Sequence, residues 1–123
     1  MADHPKRILI VEDNDTDVRL LKDILETRGY NILQTKEGLE AIDLAVVYLP
    51  DLILMDIQLP EISGLEVTRR LIGEERSHRI PIIAVTAFAM GWHEREALDI
   101  GCDAYISKPI SIFGFLRTVE SFL

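Results

Sequence analysis

The sequence predicts a doubly wound α/β sandwich, and three observations carry that prediction. Strand-like runs alternate five times with helix-like segments, three of the five carry continuous branched apolar runs, and polar residues gather directly behind them. Continuous apolar runs suit strands buried on both faces, the habit of a parallel sheet covered by helices. Right-handed crossovers then place helices on both sides of that sheet.

Five runs qualify as strands: Ile8 to Val11 (ILIV), Asn31 to Thr35 (NILQT), Asp51 to Met55 (DLILM), Pro81 to Val85 (PIIAV) and Asp103 to Ser107 (DAYIS). Between them lie segments with apolar residues at helical spacing. The first, Asp15 to Arg28, aligns Val18, Leu21, Ile24 and Leu25 and meets Gly29 as a stop signal. The second aligns Leu39, Ile42 and Val46, and the third aligns Leu65, Val67, Leu71 and Ile72. A fourth helix is predicted over Trp92 to Ile100, ended by Gly101, and a fifth over Ile112 to Leu123. No repeat, low-complexity tract or linker interrupts the alternation. The 123 residues are therefore expected to form one domain over 1-123.

Thirteen basic residues stand against twenty-one acidic ones, a formal charge of -8. Such a surface opposes contact with phosphate backbones and anionic lipid, so no direct nucleic-acid partner is expected. Cys102 is the single cysteine and has no internal partner for a disulfide, and the N-terminal MADHPKR lacks the apolar region of a secretory signal. Both point to a soluble, cytoplasmic protein. The longest nearly apolar run, IPIIAVTAFAM, contains Pro81 and Thr86 and is too short to cross a bilayer as a helix, so no membrane insertion is expected.

In an open parallel sheet, ligands bind beyond the carboxyl ends of the strands. Behind the first predicted strand stand Glu12 and Asp13, behind the third Asp56, behind the fourth Thr86, and behind the fifth Lys108 with Pro109. The second contributes only Thr35 and Lys36. The stretch RILIVEDNDTD adds weight, because it ends in four carboxylates within six positions. Clustered carboxylates call for a cation, and hard oxygen ligands with room for water suit Mg2+ better than zinc, which favours His or Cys. A metal beside Asp56 would neutralise an incoming phosphoryl group and let a carboxylate oxygen attack phosphorus. The Lys108 ammonium and the Thr86 hydroxyl would then bind the equatorial oxygens, whose charge needs stabilising.

The motifs VEDN, LILMDIQLPEISGLE, VTAF and AYISKPI, in that order, resemble the receiver domain of two-component response regulators over essentially the whole chain. The phrases DLILMDIQLPEISGLEV, AVTAFAM and AYISKPIS are most similar to the short single-domain receivers of the DivK type. The resemblance implies a flavodoxin-like five-stranded parallel sheet of order 2-1-3-4-5 with five helices. It implies that Asp56 is the phosphoacceptor, receiving the group from a phosphohistidine on a sensor histidine kinase or histidine phosphotransfer protein. Asp13 and Asp56 would ligate Mg2+ through their carboxylates, Gln58 through its backbone carbonyl, and Glu12 mainly through a metal-bound water. Thr86 and Lys108 would hold the phosphoryl oxygens, Thr86 and Tyr105 would form the switch, and Pro109 would follow a cis peptide bond that aims Lys108 inward. Gly64 matches the family's glycine in the loop after the phosphoacceptor.

The same resemblance implies a phosphorylation-dependent switch that is not an enzyme but assists its own phosphorylation and dephosphorylation, and that signals through a downstream protein effector. Phe88, Met90 and Trp92 suit either the core or, with Tyr105, the partner face around the fourth helix. Glu12 departs from the commoner Asp at its place, and Gln58 and Phe88 occupy positions that tune phosphoryl lifetime in the family.

Other residues read more plainly. Asn14, Asp15 and Asp17 suit an N-cap and first-turn acids favoured by the helix dipole. Tyr105 also suits simple packing beside the sheet. His4, His78 and His93 are scattered without metal-ligand spacing and read as solvated. An aspartyl-phosphate phosphatase of the haloacid-dehalogenase type would need a second Asp two places after Asp56, where Gln58 stands. A flavin or dinucleotide site would need a Gly-rich phosphate loop after the first strand, and EDNDTD would repel that ligand. Two further readings stay open: a receiver-fold interaction module independent of phosphorylation, and a receiver excised from a larger hybrid kinase or regulator.

Overall fold

The computed structural model describes residues 5–87 and 91–123. Its elements follow the predicted alternation: β1 Arg7–Val11, α1 Asp15–Glu26, β2 Asn31–Thr35, α2 Gly38–Tyr48, β3 Leu52–Met55, α3 Gly64–Gly73, β4 Ile82–Thr86, α4 Gly91–Ile100, β5 Ala104–Ser107 and α5 Ile112–Glu120. All strand pairs are parallel, in the order β2-β1-β3-β4-β5. This is the flavodoxin-like order, with the reversal of strand order falling between β1 and β3.

Successive side chains of a strand point to opposite faces, and that period divides the apolar residues into two cores. Leu9, Val11, Ile53, Met55, Ile82 and Ala84 face one side, where Ala41 and Ala45 of α2, Val67 and Leu71 of α3 and Ala97 of α4 cover them. Ile8, Ile10, Leu52, Leu54, Ile83 and Val85 face the other, under Leu21 and Leu25 of α1 and Phe115, Leu116 and Val119 of α5. The continuous apolar runs are therefore central strands with helices on both faces.

Strand boundaries differ from the predicted ones for identifiable reasons. Asp51 and Asp103 lie just outside β3 and β5, although both were expected as first strand residues. Each accepts, on its side chain, the backbone N–H that opens the neighbouring strand, Arg7 at 2.8 Å and Ile82 at 2.9 Å. Each also donates its own N–H to that residue's carbonyl, both at 2.7 Å. The carboxylate replaces a rung of the ladder and starts the register. Pro81 has no N–H to give and precedes β4, whereas Thr86 pairs with Ser107 and closes it.

The helices α1 and α5 are shorter than expected. Thr27 caps α1, and Gly29, at φ 85°, turns the chain toward β2. Ser121 caps α5. In α2 the expected face holds at Ile42, which packs partly buried against the core, and is corrected at Leu39. Leu39 is 54% exposed, and the buried line is Gly38, Ala41 and Ala45. Small residues line that face because α2 lies close to its neighbours: a Cβ on Gly38 would come within 2.6 Å of Val67 Cγ2 and 2.8 Å of Ile62 Cγ2.

Candidate functional site

The sheet ladder runs one residue past three of its strands. The N–H of Glu12 donates to Thr35 O (3.0 Å), that of Asp56 to Val11 O (3.0 Å) and that of Lys108 to Thr86 O (2.8 Å). Backbone pairing thus holds the residue after β1, β3 and β5 against the last residue of a neighbouring strand. Glu12, Asp56 and Lys108 come together at the carboxyl edge for that reason, and Thr86, fully buried, ends β4 among them.

The loop after Asp56 is held by short backbone bonds. The Gln58 N–H donates to Asp56 Oδ1 (2.9 Å) and fixes the orientation of that carboxylate. Gly64 donates to Ile57 O (2.8 Å) and packs directly on the Asp56 backbone. The Lys108–Pro109 peptide bond is cis.

At the centre, Lys108 Nζ lies 2.5 Å from Glu12 Oε1, 2.8 Å from Asp17 Oδ2 and 3.4 Å from Asp56 Oδ2. The other Glu12 oxygen accepts from the Asn14 N–H at 3.1 Å. Burial, then hydrogen bonding to Asp56, pushes the Glu12 carboxyl up to about 7, against the pull of Lys108 and the Asn14 N–H. For Lys108, burial works to lower the pKa, but Asp17, Glu12 and Asp56 together hold it above the ordinary lysine value. The ammonium is a firmly charged counterion in a crowded acidic site.

Asp13 is exposed at the mouth, and Glu12, Asp13 and Asp56 each offer a carboxylate oxygen, all within 4.8 Å of one another. Three hard oxygen donors so placed fit a small divalent cation. They border a cleft of about 330 Å³ that Gln58, Ala87 and Lys108 also line. Carboxylates, cation donor set and ammonium are the groups that accepting a phosphoryl group requires.

Tyr105 lies within β5, partly buried against the core shared by α2, α3 and α4, with its hydroxyl pKa raised by burial and then by Glu94. Trp92 falls within α4, while Phe88 and Met90 lie outside the described residues, as does His4. Asn14 caps α1 by accepting from the Asp17 N–H, and Asp15 pairs with Lys36 at 2.6 Å. Among the described residues, exposed His78 bonds only its neighbours along the chain, Glu75 O through Nδ1 at 2.7 Å and the Arg79 guanidinium, which donates to its Nε2 at 3.2 Å. The residue that sequence reading missed is Asp17, seen as a first-turn acid but bonded to Lys108.

Residues 8–120 match the response regulator receiver domain family. The chain belongs to that family, whose receivers are phosphorylation-dependent switches of two-component signalling, and it is a signalling protein of this kind. The polar-differentiation response regulator DivK of Brucella anthropi is 54% identical to it over 119 residues, covering 97% of each chain. The receiver domain of the sensor histidine kinase PA1611 from Pseudomonas aeruginosa PAO1, solved with a magnesium ion coordinated in its active-site cleft, matches with a TM-score of 0.89 at 31% identity, over 97% of this chain and 98% of that one. The phosphorylated cyanobacterial phytochrome response regulator RcpA matches with a TM-score of 0.80 at 26% identity, over 96% and 91%. Among the described residues, no helix is long and apolar enough to cross a membrane.

Proposed function

We propose that Asp56 is the phosphoacceptor of this switch and that Mg2+ is its cofactor, held by Asp13 and Asp56 through their carboxylates and by Gln58 through its backbone carbonyl. One observation carries the reading: the Asp56 carboxylate, nearly buried at the end of β3, shares its edge with the Glu12 and Asp13 oxygens and the Lys108 ammonium. Both Glu12 oxygens already accept hydrogen bonds, which supports a role for Glu12 through a bound water. When bound, Mg2+ supplies the positive charge that lets two anions meet.

In the transfer itself, an Asp56 oxygen forms a bond to phosphorus as the P–N bond of a donor phosphohistidine breaks, and the electron pair leaves with the imidazole. Lys108 turns a donor to the new phosphoryl oxygens, and the Thr86 hydroxyl binds another. Thr86 is fully buried, so its movement would vacate space that a close-packed interior fills, and Tyr105 would move to fill it. The face of α4, β5 and α5 then changes as a population shift favoured by the acyl phosphate. The chain assists its own modification without being an enzyme acting on others. A sensor kinase or phosphotransfer protein is the donor, a protein effector reads the changed face, and the acidic charge and single thiol suit the cytoplasm.

Beryllium fluoride or a small phosphodonor, offered with and without Mg2+, tests the proposal. Wild type should form a Mg2+-dependent adduct and Asp56→Asn none. Partner binding by a wild type that forms no adduct would favour a phosphorylation-independent module instead.

A further inference from the structure

An ammonium has three N–H donors and no acceptor. Around Lys108 those donors face Glu12 at 2.5 Å, Asp17 at 2.8 Å and Asp56 at 3.4 Å. A phosphoryl oxygen on Asp56 gains Lys108 only if one carboxylate gives way. The three differ in what release costs. The Glu12 side chain is 3% exposed and Asp56 carries the incoming group, whereas the Asp17 side chain is 33% exposed. Water can rehydrate a released Asp17, but a released Glu12 would be left buried without its counterion, holding only the Asn14 N–H. The backbone allows the exchange too. Asn14 Oδ1 caps the Asp17 N–H at 3.0 Å, so the first turn of α1 keeps its cap whether or not the Asp17 side chain holds Lys108.

We propose that Asp17 is a positioning residue for the phosphoryl chemistry: it shares Lys108 with Glu12 before phosphorylation and is the partner surrendered when the phosphoryl group arrives. This rests on the phosphoacceptor reading of Asp56. Asp17 then sets how much of the Lys108 interaction is available to the phosphoryl group, and its carboxylate competes directly with the phosphoryl oxygens. Its release also uncouples the start of α1 from β5, linking the α1 surface to the state of the site.

Wild type, Asp17→Asn and Asp15→Asn test this. Asp15 stands in the same turn and carries the same charge, but it pairs with Lys36. In metal-free protein, acetic anhydride should label the Lys108 amine about threefold faster in Asp17→Asn, the scale of one partly exposed charge contact, and no faster in Asp15→Asn. With Mg2+, beryllium fluoride should half-saturate Asp17→Asn at about threefold lower concentration than wild type, on the same scale. Unchanged Lys108 labelling in Asp17→Asn would overturn the inference. An equal effect of Asp15→Asn would also overturn it, by showing a general loss of negative charge. Absence of any adduct on wild type would overturn the phosphoacceptor reading and this inference with it, whereas the labelling ratio reports the Asp17–Lys108 contact separately.

Discussion

Gly64 lies so close to Asp56 that a Cβ at Gly64 would sit 2.0 Å from the Asp56 carbonyl oxygen. The obstacle is backbone, so no rotamer change can relieve it, and the loop that returns from Asp56 can take this path only without a side chain. Gly64→Ala should cost about 2 kcal/mol as overpacking. It should also slow phosphorylation of Asp56 on the order of 10- to 100-fold by shifting the acceptor. Gly38→Ala is the contrast, because its obstacles are side-chain methyls of Val67 and Ile62, which can shift, and not the Asp56 backbone. Urea unfolding and small-donor phosphorylation rates check both, with a loss of rate expected for Gly64→Ala alone.

Lys108→Ala removes the one ammonium shared by Glu12, Asp17 and Asp56. Breaking a buried charge cluster by deleting one sign should destabilise metal-free protein by about 3 kcal/mol near neutral pH. Mg2+ should recover more stability in this variant than in wild type, because a second cation takes up the same repulsion. The variant should still accept a phosphoryl group, but its partner affinity should no longer respond. Urea midpoints with and without Mg2+ check the first pair of statements, and partner titrations with modified and unmodified protein check the second.

Cys102 is 5% exposed, beside the Thr68 hydroxyl, and burial pushes its thiol up to about 11 from an ordinary 9.0. Native protein should therefore alkylate with iodoacetamide far more slowly than unfolded protein at pH 8. The unfolded thiol loses its proton first, so this group's contribution to stability is intact below pH 9 and is lost as pH rises toward about 11. Urea midpoints at pH 8 and pH 10.5 should fall further apart for wild type than for Cys102→Ala.

Ala45 lies on the face of α2 that meets the sheet core, whereas Leu39 projects largely into solvent. Ala45→Leu should cost about 1 to 3 kcal/mol by overpacking. Leu39→Ala should stay within about 0.5 kcal/mol of wild type. Unfolding midpoints that reversed this order would contradict the observed packing of α2.

Much of the fold was legible before the structure because β1, β3 and β4 carry continuous apolar runs, as strands covered on both faces do. The polar edge was legible for the complementary reason: Glu12, Asp13, Asp56 and Thr86 appear where those runs stop, and Lys108 stands directly behind the fifth strand. Of the inner face of α2, Ile42 alone was legible. Its largest aliphatic residues kept helical spacing, but the tight approach of α2 to α3 gave the inner positions to Gly38, Ala41 and Ala45. Local pattern ranks residues by hydrophobicity, whereas a close helix contact selects them by size.

The same limit applied to Asp17. As a first-turn acid it satisfies the helix dipole, and nothing in its neighbourhood along the chain calls for more. Only the return of the chain through β5, 91 positions later, brings the Lys108 ammonium to 2.8 Å from its carboxylate. Periodicity and composition are local properties, and they were enough for the element order, the central strands and the chemical types at the carboxyl edge. Tertiary structure decided which carboxylates share the ammonium, which oxygen each group offers, and which side chains crowd out all but glycine. Those are distances between residues far apart in the chain, and sheet register and helix packing set them.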